Sequence, residues 1–436
     1  MKRQKREIVG GCTMNITFTP CHLKGTMEAP ASKSEAHRRM ICAGLTQGDT
    51  KIQRFMASDD TKATANCLKA LGASVTLEKD ELSVCGFVGK PDLLPVFDCG
   101  ESGSTLRFFV PLALILRHGG IFRMHGRLGQ RPMEVYRDLF VPRGVVWRMA
   151  EGADGAAELM VSGSLSSGTY VLPGNVSSQF VSGLLFALPL LEGQSTLTVQ
   201  PPVESAGYIR MTVQAIRDSG VEIIDKGPFS WVIPGGQKYH AGDSEMHGDW
   251  SQAAVMLCAD ALGHEVEVDG LYMETLQGDV AVLECLEKMG CSVVKSEDGV
   301  TVQKGELKAI DVDMSNYPDL APMLALVCQL AEGTSRLRNC GRLRVKECDR
   351  LAGTVDILNA LGGNAEEDGE DIVIHGVKAL TGSGKVNTYH DHRMVMLASI
   401  GASIAAGPVE VTDAEALDKS WPGYLSVYRA LGGIAQ

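Results

Sequence analysis

The eight residues Arg344–Leu351, RVKECDRL, carry five formal charges of mixed sign immediately before an apolar helical pattern. A solvated helix start has this composition. So does a site where lysine, glutamate and arginine face one charged substrate, the cations holding anions and the glutamate moving a proton. Lys346 or Glu347 and Arg350 stand three or four positions apart, a spacing that on a single helix puts them on one face. Other polar residues open strongly apolar helical stretches: Lys33–Ser34, Ser104, Ser177–Ser178–Gln179, Ser251, Asp319 and His392–Arg393. A helix N terminus offers free N–H groups and the positive end of the dipole, so it suits anions. Taken singly, each has an ordinary explanation as an N-cap, a solvated lysine or a surface turn. His390, Asp391 and His392 are metal-ligand types, but no second cluster completes a site, so no metal is expected. The Gly-rich turn in GESGSTLRF lacks the G-K-[ST] ending of a P-loop.

The elements that must hold these residues repeat. Amphipathic helical stretches end in Gly72, Gly144, Gly220, Gly290, Gly362 and Gly432, and each leads into strand-like sequence. A second series, apolar on nearly every face, closes at Gly48, Gly119, Gly193, Gly263, Gly333 and Gly407. Both series recur about every 72 residues, so the chain is six copies of one unit. Glycine just past a helix is the expected residue where the chain turns through positive φ. Helices apolar all round must be surrounded by protein, and six of them cannot share one small core. Two groups of three are therefore expected, divided at the Gly-rich polar stretch PGGQKYHAGDSEMHGD. The segment TPCHLKGTMEAPASKS is expected to be a second crossing, giving a double hinge. The domains implied are 1–20 with 244–436, closed by the N-terminal strand, and an inserted 21–243. If the apolar helices lie parallel, their N termini converge on a cleft between the two.

Length and composition fit this. The 436 residues allow two or three domains. Apolar content of 44% and charged content of 22% are those of a soluble globular chain. A formal charge of −12 argues against a nucleic-acid partner and requires any anion site to gather its cations locally. The twelve cysteines are scattered without C-x-x-C or metal spacing, as expected of reduced thiols in a cytoplasmic protein. The basic start MKRQKREIVGGCTM lacks the apolar core of a secretory signal, and no apolar run reaches the roughly 18 residues of a membrane span.

Six segments, in order, resemble those of the enolpyruvyl transferase family, and within it the branch that uses shikimate 3-phosphate. APASKSEAHRR resembles P-x-S-K-S, GESGSTLRF resembles N-A-G-T-x-x-R, and GQRPM and GNVSSQF resemble the R-P and S-S-Q segments. RVKECDR and DHRM match R-V-K-E-x-D-R and D-H-R-M. The resemblance spans about residue 15 to the C terminus. It implies an α/β, two-domain enolpyruvyl transferase fold of six βαβαββ repeats, three per domain, with the active site in the inter-domain cleft. It also implies transfer of the enolpyruvyl group of phosphoenolpyruvate (PEP) to the 5-hydroxyl of shikimate 3-phosphate, in the route to chorismate and the aromatic amino acids. No cofactor, nucleic acid or membrane is implied, and a monomer inhibited by glyphosate is expected.

The same resemblance assigns roles. Asp319 matches the proton acceptor and Glu347 the group that exchanges a proton at PEP C3, with Lys33 and His392 assisting. Lys33, Ser34, Arg38, Ser177, Ser178, Gln179, Ser205, Tyr208, Asp319 and Lys346 would hold shikimate 3-phosphate. Lys33, Gly103, Arg131, Gln179, Arg350, Arg393 and Lys419 would hold PEP. The chain departs from the pattern at Glu101, where the family has Asn, at Ser104, where it has Thr, and at Arg342, often Asn. Gly103 has a plainer reading, a backbone need for positive φ.

Two alternatives stand beside this. UDP-N-acetylglucosamine enolpyruvyl transferases carry a Cys five residues before the Arg of the R-P segment, where this chain has Gly126. A non-enzymatic anion-binding scaffold would use shorter repeats, of about 20–45 residues.

Overall fold

A computed structural model of the protein describes residues 14–87, 94–296, 299–382 and 384–436. The basic N-terminal extension, residues 1–13, lies outside these. Among the described residues there are six four-stranded sheets of one plan. In chain order the unit runs strand, buried helix, strand, outer segment, two strands. The first two strands pair parallel, and the last pairs antiparallel between the second and third. Thr169–Pro173, Ser195–Gln200, Ile224–Gly227 and Ser230–Ile233 form one such sheet, with Val171 opposite Thr198. The buried helix crosses from the first strand to the second, because a parallel pair needs a long connection.

The six buried helices are Lys33–Leu45, Gly103–Arg117, Ser178–Ala187, Trp250–Leu262, Ala321–Cys328 and His392–Ser403. Trp250–Leu262 and Ala321–Cys328 are buried along their whole length. These helices have no solvent face because strands and outer helices cover all sides. The glycines closing the outer segments sit at φ 103°, 86°, 74°, 99°, 89° and 92°, the left-handed conformation expected of them.

The apolar interior divides into two cores. One contains Ala31 to Met246, the other Ile16 to Ala29 together with Trp250 to Ala435. Strand exchange makes the division. Ile16–Thr19 completes the sheet of the sixth unit, between Val409–Val411 and Ile434–Ala435. Lys24–Glu28 pairs with Glu265–Asp269 of the fourth unit, and Ser244–Glu245 pairs with Asp49–Gln53 of the first. These last two strands fall on the far sides of the divisions expected at 20/21 and 243/244. The crossings run side by side near residues 29–32 and 246–249. Ser32 N–H donates to His247 O at 2.8 Å, and Asp249 N–H donates to Pro30 O at 2.8 Å. Each crossing leads directly into a buried helix, Lys33–Leu45 or Trp250–Leu262, so both deliver a helix N terminus to the same place.

Candidate active site

That place is a cavity of about 150 Å³ between the two cores. It is lined by eight cations, Lys33, Arg38, Arg107, Arg131, Arg342, Lys346, Arg350 and Arg393, against four carboxylates, Asp60, Asp249, Asp319 and Glu347. A chain of net charge −12 therefore gathers its positive charge here, which a doubly anionic ligand set requires.

Local structure explains the grouping. Ser32 caps Lys33–Leu45 by accepting from Glu35 N–H, so Lys33 and Ser34 are its first residues. Ser102 caps Gly103–Arg117, placing Gly103 and Ser104 in the first turn, and Ser177 caps Ser178–Ala187 by accepting from Gln179 N–H. Asp391 caps His392–Ser403 and presents His392 and Arg393. Asp319 lies in the short 3-10 turn Pro318–Leu320 that opens into Ala321–Cys328.

RVKECDRL is arranged differently from the single helical face expected. Arg344 and Val345 close a 3-10 segment, Gly341–Val345, and Lys346 is extended, with φ −87° and ψ −158°. The helix begins at Arg350 because the Asp349 side chain caps it, accepting from Ala352 N–H. Lys346 and Glu347 thus approach Arg350 from a loop, and charge pairing unites them. Arg350 Nη2 donates to Glu347 Oε2 at 2.7 Å, Nη1 to Asp319 Oδ1 at 2.8 Å, and Nε to Asp391 Oδ2 at 2.7 Å. Lys346 Nζ is 3.2 Å from Asp319 Oδ1. Arg131 Nη2, from the other core, is 3.2 Å from Glu347 Oε1. Arg393 Nη2 donates to Ser251 Oγ at 2.7 Å.

The remaining expected residues line the same cavity, save one. Gln179 accepts from Arg107 Nη1 at 2.5 Å and donates to Ser104 Oγ at 2.9 Å, which fixes its amide. Arg38 is buried, its guanidinium donating to Thr212 Oγ1, Ser34 O and Tyr208 O. The Tyr208 hydroxyl donates to Asp279 at 2.7 Å. Ser177, Ser178 and Ser205 also line the cavity. Lys419 is the exception, standing one layer behind: Nζ is 3.0 Å from Asp60 Oδ1, 3.1 Å from Glu101 O and 3.8 Å from Glu347 Oε1. Gly103 is not left-handed. A Cβ there would stand 3.0 Å from Arg131 Nη1, 3.1 Å from Arg107 Nη1 and 3.4 Å from Gln179 Oε1. The close approach of these side chains, rather than φ, calls for glycine.

Asp60, Arg107 and Asp249 were not among the expected site residues. An acid in the first turn of Asp59–Leu71 looks like ordinary helix-terminal charge. Arg107 lies inside GESGSTLRF, whose final Arg was the available signal. His390, Asp391 and His392 do not converge. His390 is exposed beside Asp413 and Glu415, Asp391 is bonded to Arg350, and His392 faces the cavity.

Burial raises the Asp319 carboxyl, but Lys346, Arg393 and Arg350 outweigh it and hold it well below the carboxylate range. Glu347 is also pushed up by burial and held down by Arg131, Arg350 and Lys419. Both are anions at neutral pH. His392 is kept neutral, its pKa driven well below 6.5 chiefly by burial, against the pull of Asp391. Burial lowers Lys346 although Asp319 opposes the shift, and burial with the nearby Arg131 brings Arg107 down to about 9. Two carboxylates in a cationic, partly enclosed cavity are equipped for proton transfer beside bound anions.

Comparison with known proteins shows the family. The family model for EPSP synthase (3-phosphoshikimate 1-carboxyvinyltransferase) matches residues 19–428. The chain is 40% identical over 420 residues to a 3-phosphoshikimate 1-carboxyvinyltransferase of Clostridium botulinum (strain Alaska E43 / Type E3), covering 95% of this chain and 96% of the relative. It is 36% identical to one from Clostridioides difficile (strain 630), with 96% and 98% covered. Among solved structures, EPSP synthase from Acinetobacter baumannii superposes with a TM-score of 0.78 at 23% identity, over 97% of this chain and 99% of that one. The enolpyruvyl transferase NikO from Streptomyces tendae gives 0.79 at 19% identity, over 97% and 98%.

Proposed function

The chain belongs to the EPSP synthase family, and from that membership we infer that it transfers the enolpyruvyl group of PEP to the 5-hydroxyl of shikimate 3-phosphate. The products are 5-enolpyruvylshikimate 3-phosphate and inorganic phosphate. The observation that carries the site assignment is the pairing of two partly buried carboxylates, Asp319 and Glu347, with cations from both cores in one cavity.

Addition comes first. The 5-hydroxyl oxygen bonds to C2 of PEP, its proton passing to Asp319, while C3 gains a proton from Glu347. Glu347 has first taken up that proton from solvent as the bound substrates weaken its pairing with Arg131 and Arg350. The proton on Asp319 later leaves with the phosphate. The resulting tetrahedral intermediate then loses a C3 proton to Glu347 as the C2–O bond to phosphate breaks. Both carboxylates are strongly stabilised as anions in the free site. Substrate phosphates and carboxylates that engage Lys346, Arg350 and Arg393 remove part of that stabilisation, so the carboxylates become better bases when the substrates are bound. Lys33 and His392 border the same space and assist the proton transfers.

Arg131, Arg350, Arg393, Lys33, Gln179, Gly103 and, from behind, Lys419 form the PEP side. Ser34, Arg38, Ser177, Ser178, Gln179, Ser205, Tyr208 and Lys346 form the shikimate 3-phosphate side, with Asp319 between. The cavity is smaller than the roughly 300–1,000 Å³ of typical ligand sites. Admission of two substrates therefore requires the cores to part about the paired crossings, and the domains act as a clamp. One chain supplies every group, so a monomer suffices. Among the described residues no helix is long and apolar enough to cross a membrane, and the cysteines are free thiols, which fits a cytoplasmic location.

The test is phosphate release from the purified chain given PEP and shikimate 3-phosphate, with chelator present and absent. Release unaffected by chelator is expected. Folded protein that releases none refutes the reading.

A further inference from the structure

Arg38 lines two cavities. One is the candidate active site. The other has a volume of about 520 Å³, within the roughly 300–1,000 Å³ of small-molecule sites. Helices Lys33–Leu45 and Ala206–Asp218 of the earlier core form two of its walls, and Glu274–Gln277 of the later core forms a third. The third wall presses on the second: a Cβ at Gly207 would stand 2.6 Å from Leu276 O. The second crossing contributes His247, whose N–H donates to Glu35 Oε2 at 3.1 Å and whose Nδ1 is 3.2 Å from Glu35 Oε1. Gln277 ties the later wall to the same crossing by donating to Gly248 O at 2.8 Å. The walls thus come from both cores and from the hinge, so parting the cores changes the shape of this cavity as well.

Its lining is graded in polarity. Cys42, Ile52 and Met211 are buried and give it an apolar floor, to which Ala215 and Leu276 add. The rim is acidic. Asp218, Asp243 and Glu274 are exposed and have no ion-pair partner among the described residues; Asp218 accepts from Gln214 Nε2 and Asp243 from Lys51 N–H. The two arginines of the lining are already engaged. Arg38 donates to Thr212 Oγ1, Ser34 O and Tyr208 O, and Arg39 Nε donates to Glu35 Oε1 at 2.7 Å. An apolar floor beneath uncompensated carboxylates favours an organic cation with an apolar body and disfavours an anion of the same shape.

We propose that this hinge cavity is a second small-molecule site, for an amphipathic organic ammonium, and that its occupation favours the joined cores and tightens shikimate 3-phosphate binding. A ligand fitted to walls from both cores binds the joined arrangement better than the parted one, and that difference shifts the equilibrium between them. The effect is reciprocal, because each ligand must change the affinity of the other by the same factor. The coupling rests on the reading above that the cleft takes shikimate 3-phosphate; the cavity and its chemistry do not.

Phenethylammonium is the probe, and 3-phenylpropionate is its anionic counterpart. Binding to the full chain is measured by calorimetry and ligand-observed NMR, with and without saturating shikimate 3-phosphate, and melting temperatures are recorded. The wild type should bind the ammonium at one site at least about tenfold more tightly than the carboxylate, a margin of one decade in Kd. The double variant Asp218→Asn, Glu274→Gln should weaken the probe by about three- to thirtyfold, the worth of two exposed ion pairs, and leave shikimate 3-phosphate affinity unchanged when no probe is present. Ala215→Trp should fill the cavity and abolish probe binding; if it does not fold, the double variant at the exposed rim decides alone. Shikimate 3-phosphate should strengthen the probe by about fivefold or more, and the probe should strengthen shikimate 3-phosphate equally. Competition between the two would put the probe in the substrate cavity and overturn the proposal. So would equal binding of the carboxylate, an unaffected double variant, or a probe affinity that shikimate 3-phosphate leaves unchanged. A wild type that binds the probe but neither binds shikimate 3-phosphate nor releases phosphate defeats the enolpyruvyl transfer reading. An active wild type that does not bind the probe defeats only this inference.

Discussion

Lys419 Nζ lies 3.0 Å from Asp60 Oδ1 although 359 residues separate them in the chain, and Lys33 Nζ takes the other oxygen of the same carboxylate at 2.9 Å. Asp60 belongs to the earlier core's units and Lys419 to the later. Burial raises the Asp60 carboxyl, but the two lysines hold it well below its usual value. One buried carboxylate therefore sets the separation of two cations assigned to PEP and joins the cores at the site.

Removing that carboxylate leaves two ammonium groups facing each other with no anion between. Asp60→Ala is expected to destabilise the free protein by about 3–5 kcal/mol, the cost of orphaning a buried charge. PEP with shikimate 3-phosphate brings negative charge back, so the ligands should raise the melting temperature of the variant more than that of the wild type. Thermal melts with and without ligands check this. Equal ligand shifts in the two proteins would show that Asp60 acts independently of the anion site.

Asp319→Ala and Glu347→Ala are each expected to lower kcat by about 100-fold or more, as for lost general acid–base catalysis. Binding of shikimate 3-phosphate should largely survive in Glu347→Ala, because Glu347 faces Arg131 and Arg350, both proposed to hold PEP. Single-turnover measurements beside calorimetry separate the two effects. Near-normal turnover in both variants would leave RVKECDRL as a charged helix entry and nothing more.

What the sequence showed of this site, and what it hid, follows from the range of the interactions. Helix periodicity and glycine stops are local, so the six buried helices and their spacing could be read directly, and the polar residues at their N termini marked the cavity. The convergence of Lys346, Glu347 and Arg350 was legible, but its cause was not. Asp349 caps the helix and excludes Lys346 and Glu347 from it, so spacing along a helix was the wrong reason for a correct grouping. Strand exchange was harder. Nothing local in KGTME says that Lys24–Glu28 pairs with Glu265–Asp269. Asp60 was hidden because an acid at a helix start is ordinary until a lysine from the other core reaches it.

His37 offers a test of burial by pH. It is 1% exposed; burial lowers its pKa from 6.5 to about 3, with Asp60 opposing and Lys33, Arg38 and Lys419 adding to the shift. Nδ1 is 2.7 Å from Thr64 Oγ1, and Nε2 has no hydrogen-bond partner. Below pH 6.5 the unfolded chain takes up a proton on this ring that the folded chain refuses until about pH 3. The unfolded state then binds more protons, so stability falls as pH drops through this window. The slope from this one group is about 1.4 kcal/mol per pH unit once well below 6.5. Denaturant unfolding at pH 5.5 and 4.5 should show the wild type losing about 1.4 kcal/mol more than His37→Gln over that unit. Identical pH dependence in the two proteins would mean that His37 is not held neutral.

Gly103 is the place where a methyl group distinguishes two anions. It is the first residue of Gly103–Arg117, outside the left-handed region, so alanine fits the backbone and favours the helix. The added methyl would meet the Arg131 and Arg107 guanidinium ends and the Gln179 amide, at 3.0, 3.1 and 3.4 Å. Arg131 and Gln179 are among the groups proposed to hold PEP. A ligand longer than PEP, such as glyphosate, is expected to need the space the methyl would take, and a clash discriminates between ligands without any new attraction. The wild type should therefore be inhibited by glyphosate competitively with PEP. Gly103→Ala should raise the glyphosate Ki by about 100-fold while changing KM for PEP by about tenfold or less, a gap of roughly 1.4 kcal/mol between the ligands. The melting temperature should stay near that of the wild type, because no left-handed conformation is lost. Equal weakening of both ligands would mean that the methyl displaces Arg131 and Gln179 rather than the inhibitor, and the steric account would fail.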